Sequence, residues 1–309
     1  METSAFAMID GSNRIAPSTS GDTALYKQAM TLKDMNPDLK IFISVGGWAF
    51  NDPGATQKRF STMASSSSNR ATFISSCLQF MKTYGFDGVD IDWEYPVDDL
   101  RGGVPADKAN LNSLMKEFRA AIDSSGNAYG LTITTPSSYY YLRQFDVAEL
   151  AKWIDWFNHM TYDLHGVWDK DSKFLGPYVN SHSNLTEIDI SMDLFWRNKI
   201  PPSKISMGLG FYGRSFQLAS SSCTKPGCTF TGPANAGACT GAAGILSYSE
   251  IQSAINGTSA QRKRATANVV WDKTAAVKYA YWGNQWVSYD DADTFKQQKI
   301  DYANKLGYV

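Results

Sequence analysis

The sequence has little that would direct the chain to a polyanion or to a bilayer. Its 309 residues carry 29 basic and 30 acidic side chains, and this formal net charge of -1 gives no electrostatic attraction to nucleic acid. No apolar run reaches the ~18 residues that span a bilayer. The first residues, 1–6, show no basic segment followed by an apolar stretch, so no signal peptide is visible. We therefore expect neither nucleic acid nor membrane as a partner.

Cysteine and histidine are scarce, with four and three residues respectively. Cys77 lies in an apolar helical pattern, which predicts a buried thiol. Cys223, Cys228 and Cys239 cluster in one segment, where two of them can pair in an oxidising compartment, but the sequence does not say which two. Because the histidines lie far from these cysteines and no close Cys-x-x-Cys pair occurs, we expect no zinc site.

Two further patterns fail as cofactor sites. Residues 208–213 read G-x-G-x-x-G, but the segment that follows continues as a strand, and no acidic residue occurs about 20 positions later. The acids Asp90, Asp92 and Glu94 are spaced like part of a calcium loop but lack its turn glycine. We expect no cofactor and no metal.

Two glycosylation sequons, at residues 184–186 and 256–258, are the sequence's weak sign of secretion. Such triplets also arise by chance. On this basis, and on the resemblance described below, we predict an extracellular, monomeric protein.

Short apolar runs alternate with helical patterns, which predicts a parallel α/β architecture. Hydrophobic residues make up 43% of the chain, enough for a large core. The predicted strands occupy residues 4–9, 41–45, 89–94, 131–135, 156–163 and 205–212. Gly85 and Gly126 are predicted to end the second and third helices.

The alternation stops after the sixth of these strands. The segment 217–289 contains the cysteine cluster, a short helical pattern and two aromatic runs around a turn at 283–285. We interpret it as a small α+β insertion. The predicted domains are then a catalytic α/β domain over 1–216 and 290–309, and an insertion over 217–289.

The most informative segment is Asp87-Gly-Val-Asp-Ile-Asp-Trp-Glu94. Side chains alternate on a strand, so Asp90, Asp92 and Glu94 point the same way, about 6.6 Å apart from one Cα to the next. Neighbouring sequence offers no evident partners for three inward carboxylates. Crowded carboxylates repel one another, so at least one should hold a proton at neutral pH. A protonated carboxyl beside an ionised one is what cleavage of a glycosidic bond requires. Trp93, of opposite parity, is predicted to lie in the core.

This segment resembles the signature of family 18 glycoside hydrolases, which are (β/α)8 TIM barrels and mostly chitinases. Residues 44–48 (SVGGW) are similar to the family's third-strand motif, 160–163 (MTYD) to its sixth and 210–214 (GFYGR) to its seventh. An insertion after the seventh strand also occurs in the family. Residues 223–246 loosely resemble the corresponding segment of fungal chitinases related to killer-toxin subunits.

The resemblance implies the roles. Glu94 would be the general acid and base, and the substrate's own acetamido oxygen the nucleophile. Asp92 would hydrogen-bond the acetamido N–H, and Asp90 would tune Asp92. Tyr162 would hydrogen-bond the acetamido oxygen. The implied substrate contacts are Trp48, Met160, Asp163, Tyr140 and Arg214, with Tyr140 and Arg214 also readable as an exposed tyrosine and a surface arginine.

Three readings of function stay open, each implied by the same resemblance. The leading reading is a chitinase whose partner is chitin or its oligosaccharides. A family 18 lectin would bind the same sugars, but such members lack the acid that Glu94 provides. An endo-N-acetylglucosaminidase acting on N-glycans shares the carboxylate strand. His159 and His165, which flank the sixth-strand motif, are interpreted as solvated loop residues.

The resemblance also predicts a barrel that is short of two strands. Only six strands can be placed, and the first of them resembles the family's second strand. The chain ends where the eighth would begin. Strands one and eight are neighbours in a closed barrel, so we expect one open seam with unpaired strand edges.

Overall fold

The structure is a computed structural model that describes residues 2–257 and 267–307. The chain divides into two compact units. The first comprises Met1–His159 and Phe195–Ser206, and the second comprises Met160–Leu194 and Met207–Tyr308. Within the described residues, no helix is both long enough and apolar enough to cross a bilayer.

The first unit is built on a sheet whose order is β2-β1-β3-β4-β5-β6-β7. Its strands are β1 (Glu2–Ile9), β2 (Ile15–Pro17), β3 (Ile41–Gly46), β4 (Gly88–Asp92), β5 (Gly130–Pro136), β6 (Phe157–Met160) and β7 (Ile205–Met207). The pairs β1–β3, β3–β4 and β4–β5 are parallel, whereas β2 turns back antiparallel to β1. All six predicted strands are present, and β2 is an addition that the sequence did not reveal.

Helices connect these parallel strands. They are α1 (Asp22–Met30), α2 (Leu32–Met35), α3 (Arg59–Ala64), α4 (Ser67–Tyr84), α5 (Asp107–Ser125), α6 (Tyr139–Leu142) and α7 (Val147–Leu150). The Ser66 side chain accepts a hydrogen bond from the Asn69 N–H, one of the backbone donors in the first turn of α4 that have no partner within the helix. Gly85 and Gly126 end α4 and α5 in the left-handed conformation, as predicted.

Three predicted strands end earlier than expected. The first, β4, stops at Asp92, so Glu94 lies in the following loop, before a cis peptide to Tyr95. The second, β6, stops at Met160, because Asp163 has a φ of 58°, which turns the chain out of the extended path. The third, β7, stops at Met207, since the glycines that follow add no side chain to a sheet.

The second unit contains an antiparallel sheet in the order β10-β8-β13-β12-β11, with β9 paired to β8. Its strands are β8 (Tyr212–Leu218), β9 (Phe230–Pro233), β10 (Ile245–Ser247), β11 (Asn268–Asp272), β12 (Val277–Trp282) and β13 (Gln285–Tyr289). The predicted turn is a two-residue hairpin loop, because Trp282 pairs with Gln285. Residues 212–216, predicted to belong to the catalytic domain, start this second sheet. The domain boundaries at 217 and 289 stay a prediction.

Helices of this unit include α8 (Leu185–Trp196), which runs into the first unit, α9 (Tyr248–Asn256), α10 (Ala292–Thr294) and α11 (Asp301–Leu306). A capping box of Ser247 and Glu250 opens α9. Cys77 is buried, as predicted. Of the three clustered cysteines, Cys223 and Cys228 form a disulfide and Cys239 is free.

Candidate active site

In the first unit, the predicted carboxylates Asp90 and Asp92 lie on β4, and Glu94 lies in the loop that follows it. Gly46, the last residue of β3, lies against the Asp92 carbonyl: a Cβ there would come within 2.2 Å of that oxygen. Gly46 also has a φ of 114°, which only glycine adopts readily. The Gly47 N–H donates to the same carbonyl at 3.0 Å. The paired glycines of the 44–48 motif therefore let the two strand ends meet closely.

Asp90 is buried and fully hydrogen-bonded. Its two oxygens accept hydrogen bonds of 2.8–2.9 Å from Ser44, Thr132, Thr134 and Asn158. Ser44 and Thr132 reach it because β3 and β5 place them directly opposite Asp90 in the sheet register. The four donors carry no charge, and each Asp90 oxygen accepts hydrogen bonds from two of them. The expectation that these carboxylates lack partners is wrong for Asp90, because its donors lie on neighbouring strands.

Asp92 has the opposite environment. It is 6% exposed, and its Oδ1 has no hydrogen-bond partner among the residues that the structure describes. Burial, followed by the negative charges of Glu94 and Asp90, raises the pKa of Asp92 well above its ordinary value. The protonated form of the side chain is therefore favoured, in the direction predicted for one member of the set, and one oxygen remains available for a ligand.

Glu94 is 7% exposed, and its main chain is held from two sides. The Glu94 N–H donates to the Asn51 side chain at 3.3 Å, and the Glu94 carbonyl accepts from Arg101 Nε at 2.9 Å. The Tyr95 hydroxyl hydrogen-bonds the Glu94 carboxylate. Burial, and then the charge of Glu94, raises the pKa of Tyr95, so this hydroxyl remains a donor at neutral pH.

Aromatic side chains surround these carboxylates on one side. Trp48 is 52% exposed, and its ring meets Tyr95 edge-on at 6.4 Å between centroids. Tyr95 in turn stacks on Tyr141 at 4.2 Å. The predicted contact residue Tyr140 is exposed, and the Arg143 guanidinium lies over its ring. Trp48 therefore meets Tyr95, which follows Glu94, and Tyr140 joins this aromatic group through its edge-on contact with Tyr141 at 5.0 Å. Trp93 is buried and stacks on Phe60, as predicted.

Within the second unit, the remaining predicted residues form one group. Arg214 donates to both oxygens of Asp163, and the Tyr212 hydroxyl donates to Asp163 at 2.7 Å. Burial opposes ionisation of Asp163, but hydrogen bonds from His182 and Arg214 hold its pKa below the ordinary value. Tyr162 lies edge-to-face with Tyr212. Met160, the last residue of β6, is half-buried.

The interpretation of two histidines as solvated is wrong. His159 is buried, its Nδ1 lies 3.1 Å from the Thr135 hydroxyl, and burial lowers its pKa to about 3. His165 is buried between Asp169, at 2.7 Å, and Glu187, at 2.9 Å. Thr135 and Glu187 lie 24 and 22 residues away in sequence, so local pattern did not reveal them, whereas Asp169 follows His165 by 4 residues.

Sequence analysis also missed residues that support the carboxylates. Ser44, Thr132 and Thr134 are polar residues within otherwise apolar strands, and they lie on the same face of the sheet as Asp90. A polar residue at such a position is a signal that could have identified them. Asn51 and Arg101 end 3-10 helices, Trp48–Asn51 and Asp99–Arg101, which are too short to show a periodic pattern. Their contacts with Glu94 emerge only from the folded chain.

The chain is similar to known proteins of one family over nearly its whole length. The model of the family "Glycosyl hydrolases family 18" matches residues 3–308. Mouse chitotriosidase-1 is 34% identical over 98% of this chain and 63% of its own length. The curated relatives that we compared are each spanned by this chain over less than two thirds of their length, from 17% to 63%.

Two solved structures are similar over 99% of this chain. A class V chitinase from Nicotiana tobaccum, determined as a mutant in complex with NAG4, has a TM-score of 0.83, 28% identity and 84% of its chain covered. Human YKL-39, described as a pseudo-chitinase with retained chitooligosaccharide binding, has a TM-score of 0.85, 28% identity and 81% covered. These matches confirm the resemblance and the predicted α/β fold class, that of the family's barrels.

Proposed function

We propose that this chain, which belongs to glycosyl hydrolases family 18, hydrolyses the β-1,4 bonds between N-acetylglucosamine units of chitin. The observation that carries the proposal is the difference in hydrogen bonding between Asp90 and Asp92. Four donors satisfy Asp90, whereas Asp92 is buried with an orphan oxygen beside Glu94. An unsatisfied buried carboxyl costs stability, and a ligand that donates to it removes that cost.

The proposed first step uses Glu94 as the acid. Its proton passes to the glycosidic oxygen while the acetamido oxygen of the same sugar forms a bond to the anomeric carbon. The glycosidic C–O bond breaks, and the leaving sugar departs as an alcohol. A cyclic oxazolinium ion remains on the substrate, so the protein supplies no nucleophile.

The second step reverses these roles. The Glu94 carboxylate takes a proton from water, the resulting hydroxide attacks the anomeric carbon, and the bond to the acetamido oxygen breaks. Two inversions retain the configuration. Asp92 Oδ1 would accept the acetamido N–H and stabilise the cation, and the charge of Asp90 would tune Asp92.

Other contacts are proposals from the family motifs. Trp48 presents a half-exposed indole on which a sugar face can stack. Tyr162 would donate to the acetamido oxygen. Asp163, ionised and held by Arg214, would accept from a sugar hydroxyl, while Met160 and Tyr140 would contribute apolar contact. We propose no cofactor and no metal for this chemistry.

Two alternatives are kept because specific observations favour them. YKL-39 shows that a similar fold can bind chito-oligosaccharides as a pseudo-chitinase. An N-glycan endo-N-acetylglucosaminidase would use the same carboxylate strand. The presence of Glu94, with a buried and anchored main chain, favours an enzyme over a lectin.

The test is a product profile from chitohexaose, with cellohexaose and an N-glycopeptide as parallel substrates. We expect chitohexaose alone to be cut, with retained anomeric configuration, and a thiazoline analogue of the intermediate to inhibit. Binding of chitohexaose without any new reducing ends would establish the lectin reading. Cleavage of the glycopeptide alone would establish the third reading, and ready hydrolysis of cellohexaose would rule out participation of the acetamido group.

We also propose that the protein is extracellular, monomeric and of fungal type. The Cys223–Cys228 disulfide and the sequon at Asn184 support the extracellular location, because both modifications belong to oxidising, secretory compartments. The second sequon ends at residue 258, outside the described residues. The fungal type stays a prediction from the loose sequence resemblance of residues 223–246 to fungal chitinases.

A further inference from the structure

A buried arginine links the loop that carries Trp48 to the loop that carries Glu94. Arg101 ends a short 3-10 helix, Asp99–Arg101, and is only 7% exposed. Its three guanidinium nitrogens all have acceptors. Nε donates to the Glu94 carbonyl at 2.9 Å, Nη1 to Asp52 Oδ1 at 2.6 Å, and Nη2 to the Trp48 carbonyl.

The same guanidinium also covers one face of the Trp48 ring, with Cζ 3.7 Å from the ring centroid. The exposed half of the indole therefore lies on the side that the arginine does not cover. A cation held over an aromatic ring is attracted to it, and this attraction fixes the orientation of the ring. A planar fork is needed for these simultaneous contacts, because a lysine ammonium offers donors from only one point.

We propose that Arg101 is a positioning residue for chito-oligosaccharide binding and cleavage. It holds the Trp48 indole with one face open to a sugar, and it fixes the main chain from which the Glu94 side chain projects. This inference rests on the proposed function. Arg101 itself touches no substrate: its effect on sugar affinity passes through Trp48, and its effect on turnover passes through Glu94.

A matched control exists in the same unit. Arg70 is 8% exposed, donates to both oxygens of Glu117 and to the Ala64 carbonyl, and has none of the contacts of Arg101. Arg70→Lys removes a buried fork of the same kind. Both lysine variants should lose some stability, but only Arg101→Lys should alter sugar binding.

The experiment measures chitohexaose affinity by calorimetry in Glu94→Gln protein, so that the sugar is not consumed. We expect Arg101→Lys to raise Kd about tenfold and Arg70→Lys less than about twofold. With Trp48→Ala also present, Arg101→Lys should change Kd by less than about twofold, because its intermediary is gone. In protein with Glu94 intact, Arg101→Lys should also lower kcat.

The proposal would be overturned if Arg101→Lys changed Kd by the same factor in proteins with and without Trp48→Ala. It would also be overturned if Arg101→Lys and Arg70→Lys changed Kd equally. Either result would leave the proposed function intact. Failure of wild-type protein to cut chitohexaose that it binds would overturn the function, while the affinity cycle still decides the role of Arg101. No binding at all would overturn both. If Arg101→Lys does not fold, Asp52→Asn takes its place: loss of the ion pair should raise Kd about threefold, again only where Trp48 is present.

Discussion

Acidic side chains have different kinds of partner in the two units of this molecule. In the first unit, Asp90 and Asp92 lie side by side on β4 with neutral hydrogen-bond donors for one and an orphan oxygen for the other. In the second unit, the half-buried Asp163 is paired with Arg214, and the buried Asp290 is paired with Lys299. A carboxylate with a cation is already satisfied, whereas one without a cation remains dependent on what binds next to it.

This contrast separates a carboxyl group that lacks a cation from carboxyl groups that are paired with one. Burial, and then the negative charges of Glu94 and Asp90, raise the pKa of Asp92, which favours its protonated form. Burial opposes ionisation of Asp163, but hydrogen bonds from His182 and Arg214 hold its pKa below the ordinary value. The following substitutions test whether the two kinds of site respond in opposite ways.

The largest effect should come from Glu94→Gln. An amide cannot donate the proton that the leaving oxygen needs, so kcat for chitohexaose should fall by about 10²–10⁴-fold. Glu117→Gln makes the same change in a carboxylate paired with Arg70 and should alter kcat less than about twofold. Turnover of the Glu94 variant within tenfold of wild type, with its melting temperature unchanged, would remove Glu94 from the role of acid.

Lys299→Met should give the largest loss of stability. Lys299 and Asp290 are both buried, and Asp290 also accepts from Ser183 and Thr294. Removing the cation leaves a buried negative charge, at a cost of about 3–5 kcal/mol and a fall in Tm of roughly 6–15 °C. Adding Asp290→Asn should recover most of this loss.

The control for Lys299→Met is Lys152→Met, at an exposed pair with Glu149, which should change the free energy of unfolding by less than about 1 kcal/mol. Thermal unfolding followed by circular dichroism measures all of these variants. Equal shifts for the two lysines would mean that burial does not distinguish the pairs.

Asp92→Asn should raise stability while lowering activity. Because the folded state binds the Asp92 proton more tightly than the unfolded chain, the aspartate destabilises the fold progressively as the pH rises above about 4. The variant should melt roughly 2–4 °C above wild type at pH 7, with little difference near pH 4. Asp290→Asn, the same change at a cation-paired site, should lower Tm at pH 7. A lower Tm for both variants would abolish the contrast.

The smallest expected effect concerns His165. Burial opposes its protonation, but the hydrogen bonds and charges of Asp169 and Glu187 raise its pKa to about 9. The folded pKa is raised, so this stabilisation is full below about pH 6.5 and is lost as the pH rises through about 9. His165→Gln should lower Tm by roughly 2–4 °C at pH 6 and by less at pH 10.

His159→Gln provides the comparison for that pH dependence. Burial lowers the pKa of His159 to about 3, so its imidazole is neutral at both pH values. Its Tm difference from wild type should therefore not shrink between pH 6 and pH 10. A constant difference for His165→Gln as well would contradict a charged His165.

The strand that carries the candidate chemistry could be predicted from the sequence because its signal is local. Alternation of acidic and apolar residues over 89–94 places Asp90, Asp92 and Trp93 on their observed sides. The end of the strand could not be predicted in this way, since it depends on the contact of Gly46 and Gly47 with the Asp92 carbonyl.

The partners of the site residues were not predictable for a similar reason. Apolar residues recur at helical spacing over 22–35, yet the structure divides this segment into two helices at Thr31 and buries Tyr26 while Met35 is exposed. The buried histidines likewise have partners tens of residues away or on another element. Periodicity reports which face of an element is apolar, but not which neighbour meets it.

By itself, the sequence determined the alternation of strands and helices, the row of carboxylates and the motifs that identify the family, because each is written within a few consecutive residues. Only the tertiary structure decided that Asp90 is satisfied, that Asp92 is not, that Cys223 pairs with Cys228, and that Arg101 joins Trp48 to Glu94. Hydrogen bonds and ion pairs act over about 3 Å in space, whatever the separation along the chain, so their partners are fixed only when the chain has folded.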